Sequence, residues 1–226
     1  MTFARASFVI ILATMVDFGK LTVIIYDCDG VLIDSSQANQ AFYNHILAHF
    51  ELPALTVEQW EYVMPLTAPD ALTWLFRDTP FPAAAQEYQQ TVDNTPFLPL
   101  LRVEPGIKET LAHLRPRYRT AVATNRGKSL VPVLHHAGLE TFFDYTVSSL
   151  DVTHAKPHPE CLHRVLEHFQ VSPEKVCYIG DSDLDREVSA RAGVLFGAYR
   201  NPALQAAFHL KKHTDLLDLL RGWPEA

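Results

Sequence analysis

Two hydrophobic periods run along this chain, and where one gives way to the other the kind of structure changes. Leu21 to Tyr26 is an apolar run of strand length, interrupted only by Thr22, as expected of a strand covered on both faces. From Glu104 onward strand runs and helical patterns alternate with short connections. Pro105-Gly106 introduces a helix near 106–115, a strand follows at 119–124, and a helix near 128–137 ends at Gly138. A strand at about 143–148 and a long helix near 158–169 come next, then a Ser172-Pro173-Glu174 turn, a strand at 176–180, a helix near 184–192, a strand at 194–198 and a last helix from Thr214. That alternation predicts an α/β fold, a Rossmann-like doubly wound parallel sheet with helices on both faces.

Residues 36–102 break the pattern. Phe42, Ile46 and Phe50 recur at helical spacing within Ala38 to Phe50, and Thr56 to Val63, Asp70 to Phe76 and Pro82 to Val92 read as further helices with no convincing strand between them. The expected organisation is an N-terminal extension at 1–19, an α/β core at 20–35 and 103–226, and an all-helical cap domain inserted at 36–102. A cap that leaves and rejoins the sheet at its carboxyl edge is placed to cover whatever chemistry lies there.

The extension carries Arg5 and the apolar run Phe8 to Val16. This is far short of the ~20 residues of a membrane span, has one basic residue ahead of it and no Ala-x-Ala site after it. It is expected to add a strand or helix, or to precede a true start at Met15. Across 226 residues the net charge is -7, and no Lys/Arg run marks a nucleic-acid footprint. Cys28, Cys161 and Cys177 form no CxxC pair, which fits a reducing, cytoplasmic setting. Neither a membrane nor a nucleic acid is an expected partner, and the oligomeric state is left open.

Candidate chemistry concentrates where apolar strands end. Asp27-Cys28-Asp29-Gly30 closes the first strand, and Gly180-Asp181-Ser182-Asp183-Leu184-Asp185 closes the strand at 176–180. Side chains at i and i+2 of a strand project to the same side, so Asp27 and Asp29 should point together. Acidic residues before Gly also make ordinary turns. Two such clusters at one sheet edge, however, would build a single Mg2+ site able to receive a phosphate, and an Asp carboxylate can also attack phosphorus.

Four motifs in order, Asp27-x-Asp29-Gly-Val-Leu-x-Asp-Ser, Thr124-Asn125, Lys156-Pro157 and Gly180-Asp181-Ser182-x-x-Asp185, resemble those of the haloacid dehalogenase-like superfamily. Within it the chain resembles phosphoglycolate phosphatase-like enzymes with a helical, C1-type cap. The resemblance covers roughly residues 21 to 200. It implies a Mg2+-dependent phosphatase acting on a small phosphorylated metabolite, with Asp27 as nucleophile and Asp29 as general acid/base. Two neighbouring carboxylates resist ionising together, so a raised pKa is expected to suit the acid role. The resemblance further implies that Lys156, Thr124 and Asn125 hold the phosphate. Asp181, Asp27 and the Asp29 carbonyl would bind Mg2+, with Asp185 in support as an indirect ligand that also holds Lys156. A phosphomutase or phosphotransferase of the same superfamily, or a non-catalytic binding protein on this fold, are the alternatives.

Several other signals are weaker. Gly127-Lys128-Ser129 imitates a P-loop but has Val122 where a Gly is needed, and Asp181-x-Asp183-x-Asp185 lacks the Gly and Glu of a calcium loop. His154, His158, Cys161 and His163 match no zinc spacing. Arg126 and Lys128 read as solvent-facing charge. In the cap, Arg77 is the candidate specificity residue beside Trp60, Tyr62 and Trp74.

Overall fold

A computed structural model describes residues 17–221. Its centre is a six-stranded sheet built from β1 (Val23–Tyr26), β4 (Arg119–Ala123), β5 (Tyr145–Val147), β6 (Val176–Gly180), β7 (Leu195–Tyr199) and β8 (Phe208–Leu210). A separate two-stranded ladder joins β2 (Ile33–Asp34) to β3 (Arg102–Val103). The large sheet is parallel throughout and runs β5-β4-β1-β6-β7-β8. The chain therefore builds outward from β1 in one direction, returns, and builds outward in the other. The carboxyl ends of β1, β4 and β6 lie side by side at that reversal, where doubly wound sheets form their crevices.

Strand periodicity explains why both faces are covered. Ile24 and Tyr26 of β1 join one apolar layer and Val23 and Ile25 the other. The first layer packs on α5 (Ile107–Leu114), α6 (Leu130–Ala137) and α9 (Asp215–Arg221), the second on α7 (Glu160–Phe169) and α8 (Asp183–Ala192). All four residues of β1 are almost wholly buried, which is why the strand reads as a continuous apolar run rather than an alternating one.

Between β2 and β3 the chain forms α1 (Ser36–His49), α2 (Val57–Val63), α3 (Ala68–Leu75) and α4 (Pro82–Thr91), followed by a 3-10 stretch at Thr95–Leu100. These helices bury a cluster of their own around Ile46, Leu72, Phe76 and Ala85, with Phe50 edge-on to Phe76 at 5.2 Å. Thr56 starts α2 with a reciprocal cap on Gln59. The two crossings into and out of this bundle are paired with each other, Ile33 with Val103 and Asp34 with Arg102.

Two strand features differ from the sequence reading. β8 is an added parallel strand of three residues, and the β2–β3 ladder has only two residues on each side. Elements so short carry too little pattern to separate from loop. Phe8 to Val16 and Met15, on which the reading of the extension turned, lie outside the described residues. No helix among the described residues is long and apolar enough to cross a membrane.

Candidate active site

The reversal in strand order brings four loops to one place. Asp27 leaves β1 with its N–H on the Ile179 carbonyl of β6, Thr124 and Asn125 leave β4, Lys156 lies ahead of α7, and Asp181 and Ser182 join β6 to α8, whose first turn carries Asp185. All four border one cavity of about 480 Å3, lined on its far side by the helical bundle. The loops approach so closely that only glycine fits at position 30, which has φ +77° and where a Cβ would lie 2.1 Å from Asp181 Oδ2.

Lys156 is the electrostatic centre. Its ammonium lies 2.6 Å from Asp185 Oδ1, 3.0 Å from Asp27 Oδ1 and 2.9 Å from the Tyr178 hydroxyl. Burial alone would push its proton off, but the charges of Asp185 and Asp27 outweigh that and hold the lysine protonated. Asp185 is completely buried and fully engaged. Its Oδ1 meets Lys156 and Tyr178, while its Oδ2 accepts from the Asp181 and Ser182 backbone N–H groups and the Ser182 hydroxyl. Burial raises its pKa, yet Lys156 and these hydrogen bonds more than reverse the effect. With both oxygens occupied, Asp185 orients Lys156 and the loop around it.

Asp27 and Asp181 are placed differently. Asp27 Oδ1 is buried and, although close to Lys156, makes no hydrogen bond of good geometry among the described residues. Burial, followed by the negative charges of Asp185 and Asp29, pushes Asp27 up to about 7 against the pull of Lys156. Burial, then Asp185 and Asp27, push Asp181 up to about 8. Oxygens of Asp27, Asp181 and Asp185 all lie within 4.8 Å of one another. Asp27 and Asp181, crowded against Asp185 to the point of resisting ionisation, offer donors that a hard divalent cation fits.

Asp29 corrects the expectation for the pair, because it is the member that stays ionised. Arg126 donates Nε to Asp29 Oδ2 at 3.0 Å and Nη2 to its Oδ1, and the Ser35 hydroxyl also donates to Oδ1. Burial raises the Asp29 pKa, but the Arg126 charge and these hydrogen bonds carry it below the usual carboxylate value. The Arg126 side chain is only 9% exposed instead of facing solvent, and it reaches Ser129 at 2.9 Å and Asn39 of α1 at 3.1 Å. Its importance was not legible from sequence, since Asp29 lies 97 positions away.

Thr124 and Asn125 border the cavity as expected, with further tasks. The Thr124 hydroxyl accepts the Arg126 N–H at 3.1 Å. Asn125 fastens the Lys156 loop to the end of β4, accepting the Lys156 N–H at 2.9 Å, and reaches the Pro65 carbonyl of the bundle at 3.4 Å. Arg77 does not come to the cavity. Its guanidinium lies 3.9 Å from the Trp74 ring centroid, donates to the Trp74 carbonyl and pairs with Asp78, because a ring three residues earlier on the helix is within easier reach. Tyr178 and Asn201 were missed. Tyr178 is hidden in an apolar strand where only its hydroxyl tip hinted at a partner, and Asn201 holds the Asp181 carbonyl at 2.8 Å from a loop with no motif.

A sequence model of the haloacid dehalogenase-like hydrolases matches residues 24–199. The chain is 36% identical to a crystallised hydrolase of the same superfamily, subfamily IA, from Geobacter sulfurreducens, with TM-score 0.74 over 89% of this chain and 97% of that one. It is 29% identical to the phosphoglycolate phosphatase of Haemophilus influenzae, over 77% of this chain and 83% of the relative. Identity to the pyrophosphatase PpaX of Bacillus mycoides is 26%, over 89% of this chain and 97% of the relative. With an edge of carboxylates and one lysine at the sheet reversal, and a family match spanning most of its length, the chain belongs to the haloacid dehalogenase-like hydrolases.

Proposed function

We propose that the protein is a Mg2+-dependent phosphatase that hydrolyses a small soluble phosphate monoester through an aspartyl-phosphate on Asp27. The observation that carries this reading is the buried Asp27–Lys156–Asp185 line, with Asp181 beside it and a cavity above it. The names of the relatives, a phosphoglycolate phosphatase and a pyrophosphatase, support phosphoryl chemistry without choosing a substrate. Three free, buried cysteines fit the reducing cytoplasmic setting we assign to it.

In this reading an Asp27 oxygen attacks phosphorus while Lys156 and the Thr124 hydroxyl meet the phosphate oxygens. Asp27 and Asp181, with the Asp29 carbonyl, would hold Mg2+, which supplies positive charge to the transferring phosphoryl group. Asp29 gives a proton to the leaving alkoxide and then takes one from the water that cleaves the aspartyl-phosphate. Held ionised by Arg126 and Ser35, it must leave the guanidinium and gain a proton before it can act as an acid.

Release of inorganic phosphate from an aryl phosphate and a panel of sugar, nucleotide and glycolate phosphates, with Mg2+ and with EDTA, tests the proposal. Turnover that needs Mg2+ and is lost in Asp27→Asn is expected. Metal-independent turnover, or an active Asp27→Asn, defeats it. Interconversion of sugar phosphates without net release would mark phosphotransfer instead.

A further inference from the structure

Resting on the phosphatase reading, we propose that the leaving alcohol carries no negative charge: the bundle side of the cavity accepts a neutral, partly apolar group and disfavours a second anion. Phe42, Tyr43, Phe97 and Leu98 give that side apolar and aromatic surface, and Asn39 and Gln90 add amides. Among the described residues, none of those from 36 to 102 that border the cavity is Lys, Arg or His.

The basic side chains this segment does possess lie off the cavity. His45 bonds the Tyr88 hydroxyl at 3.1 Å, His49 stacks on the Tyr88 ring at 3.7 Å, Arg77 lies on Trp74, and Arg102 sits in the exposed β3 strand. The segment instead presents an acid. Asp70 lies at the start of α3, where Ala68, Pro69 and Asp70 reach the cavity. Its N–H is taken by the Thr67 hydroxyl oxygen at 3.3 Å, Pro69 has no N–H, and its carboxylate accepts the Thr67 O–H at 2.6 Å. A helix start that could have received an anion is thus already capped and negative.

The opposite wall leaves little charge to spare. Lys156 is held by Asp185 and Asp27, and Arg126 by Asp29. Lys128 is the remaining cation on the cavity, and its ammonium donates to the Gln89 and Gln90 carbonyls, each at 2.8 Å. A second anion would stand near the negative Asp70 and would have to draw Lys128 off the Gln89 and Gln90 carbonyls to gain a cation, whereas an uncharged group would gain apolar contact.

Matched pairs of esters isolate charge from size: 2-hydroxyethyl phosphate against phosphoglycolate, and glycerol 3-phosphate against 3-phosphoglycerate. With the full chain and Mg2+, kcat/KM is expected to favour the neutral alcohol by about tenfold or more in both pairs. Asp70→Lys should narrow that gap, and Lys128→Gln should leave it in place. Equal or reversed preference overturns the inference, as does a Lys128→Gln variant that selectively loses turnover of the anionic esters. Release of phosphate from none of the four, nor from an aryl phosphate, overturns the phosphatase reading itself; preference for the anionic member leaves that reading standing and removes only this one.

Discussion

The sheet edge and the helical bundle face each other across one cavity but are made of opposite materials. On the sheet side Asp27, Asp185 and Lys156 are buried charges, and Lys156 and Asp185 are each gripped by several partners. On the bundle side the cavity meets aromatic rings, amides and one exposed acid, carried on short helices with their own apolar cluster. Charge buried at the edge is tolerable because Asp27 and Asp185 share the one Lys156 ammonium, so one change there upsets the whole set. The bundle wall has no such mutual dependence. Chemistry is therefore tied to the edge, while substrate choice can vary with the wall.

The largest break in this contrast should come from Lys156→Met. It leaves Asp27 and Asp185 buried without their cation, so turnover should fall by about 10³-fold and stability by about 3–5 kcal/mol, read by phosphate release and urea unfolding. A stable variant of near-normal rate would show that the edge is not electrostatically bound together. Phe76→Ala tests the other side. Emptying the centre of the bundle should destabilise by about 3–5 kcal/mol and act on KM more than on kcat, because no charged group at the sheet edge is touched. An equal loss in kcat would mean the two sides are mechanically one.

A smaller effect is expected from His213, which is buried, stacks on Tyr199 at 4.2 Å and lies 2.7 Å from the Val31 carbonyl of the loop following Asp29. Burial lowers its pKa to about 4. The unfolded chain, with an ordinary histidine near 6.5, then binds the proton first as pH falls. Stability from this group is present above about pH 6.5 and is lost as pH drops toward 4, by roughly 2 kcal/mol at pH 5. Urea midpoints at pH 7 and pH 5 should differ more in the wild type than in His213→Asn; equal differences would sink the assignment. Smallest of all, Arg77→Ala should change kcat/KM less than about twofold, since its side chain is spent on Trp74 and Asp78.

How far the sequence could be read depended on where each residue's partners lie. Asp27 and Asp181 stood out as carboxylates where buried strands end, and such positions gather at a sheet reversal; Thr124 and Lys156 stood out only through the resemblance to the family's ordered motifs. Arg77 was misplaced because an arginine among cap aromatics looks available to substrate, and the sequence says nothing of the ring that captures it. Arg126 was passed over as surface charge because its partner is distant in the chain, and the direction of the Asp29 pKa went with it.

Sequence alone was enough for the α/β class, the helical insertion and the strand-end carboxylates, since hydrophobic period and strand-end chemistry are local properties; the lysine came with the family's ordered motifs. Tertiary structure decided how Asp27 and Asp29 divide, how Lys156 is shared between Asp27 and Asp185, and what the bundle shows the substrate. Those outcomes depend on distances between groups far apart in the chain, and electrostatic balance in a buried site is set by such distances.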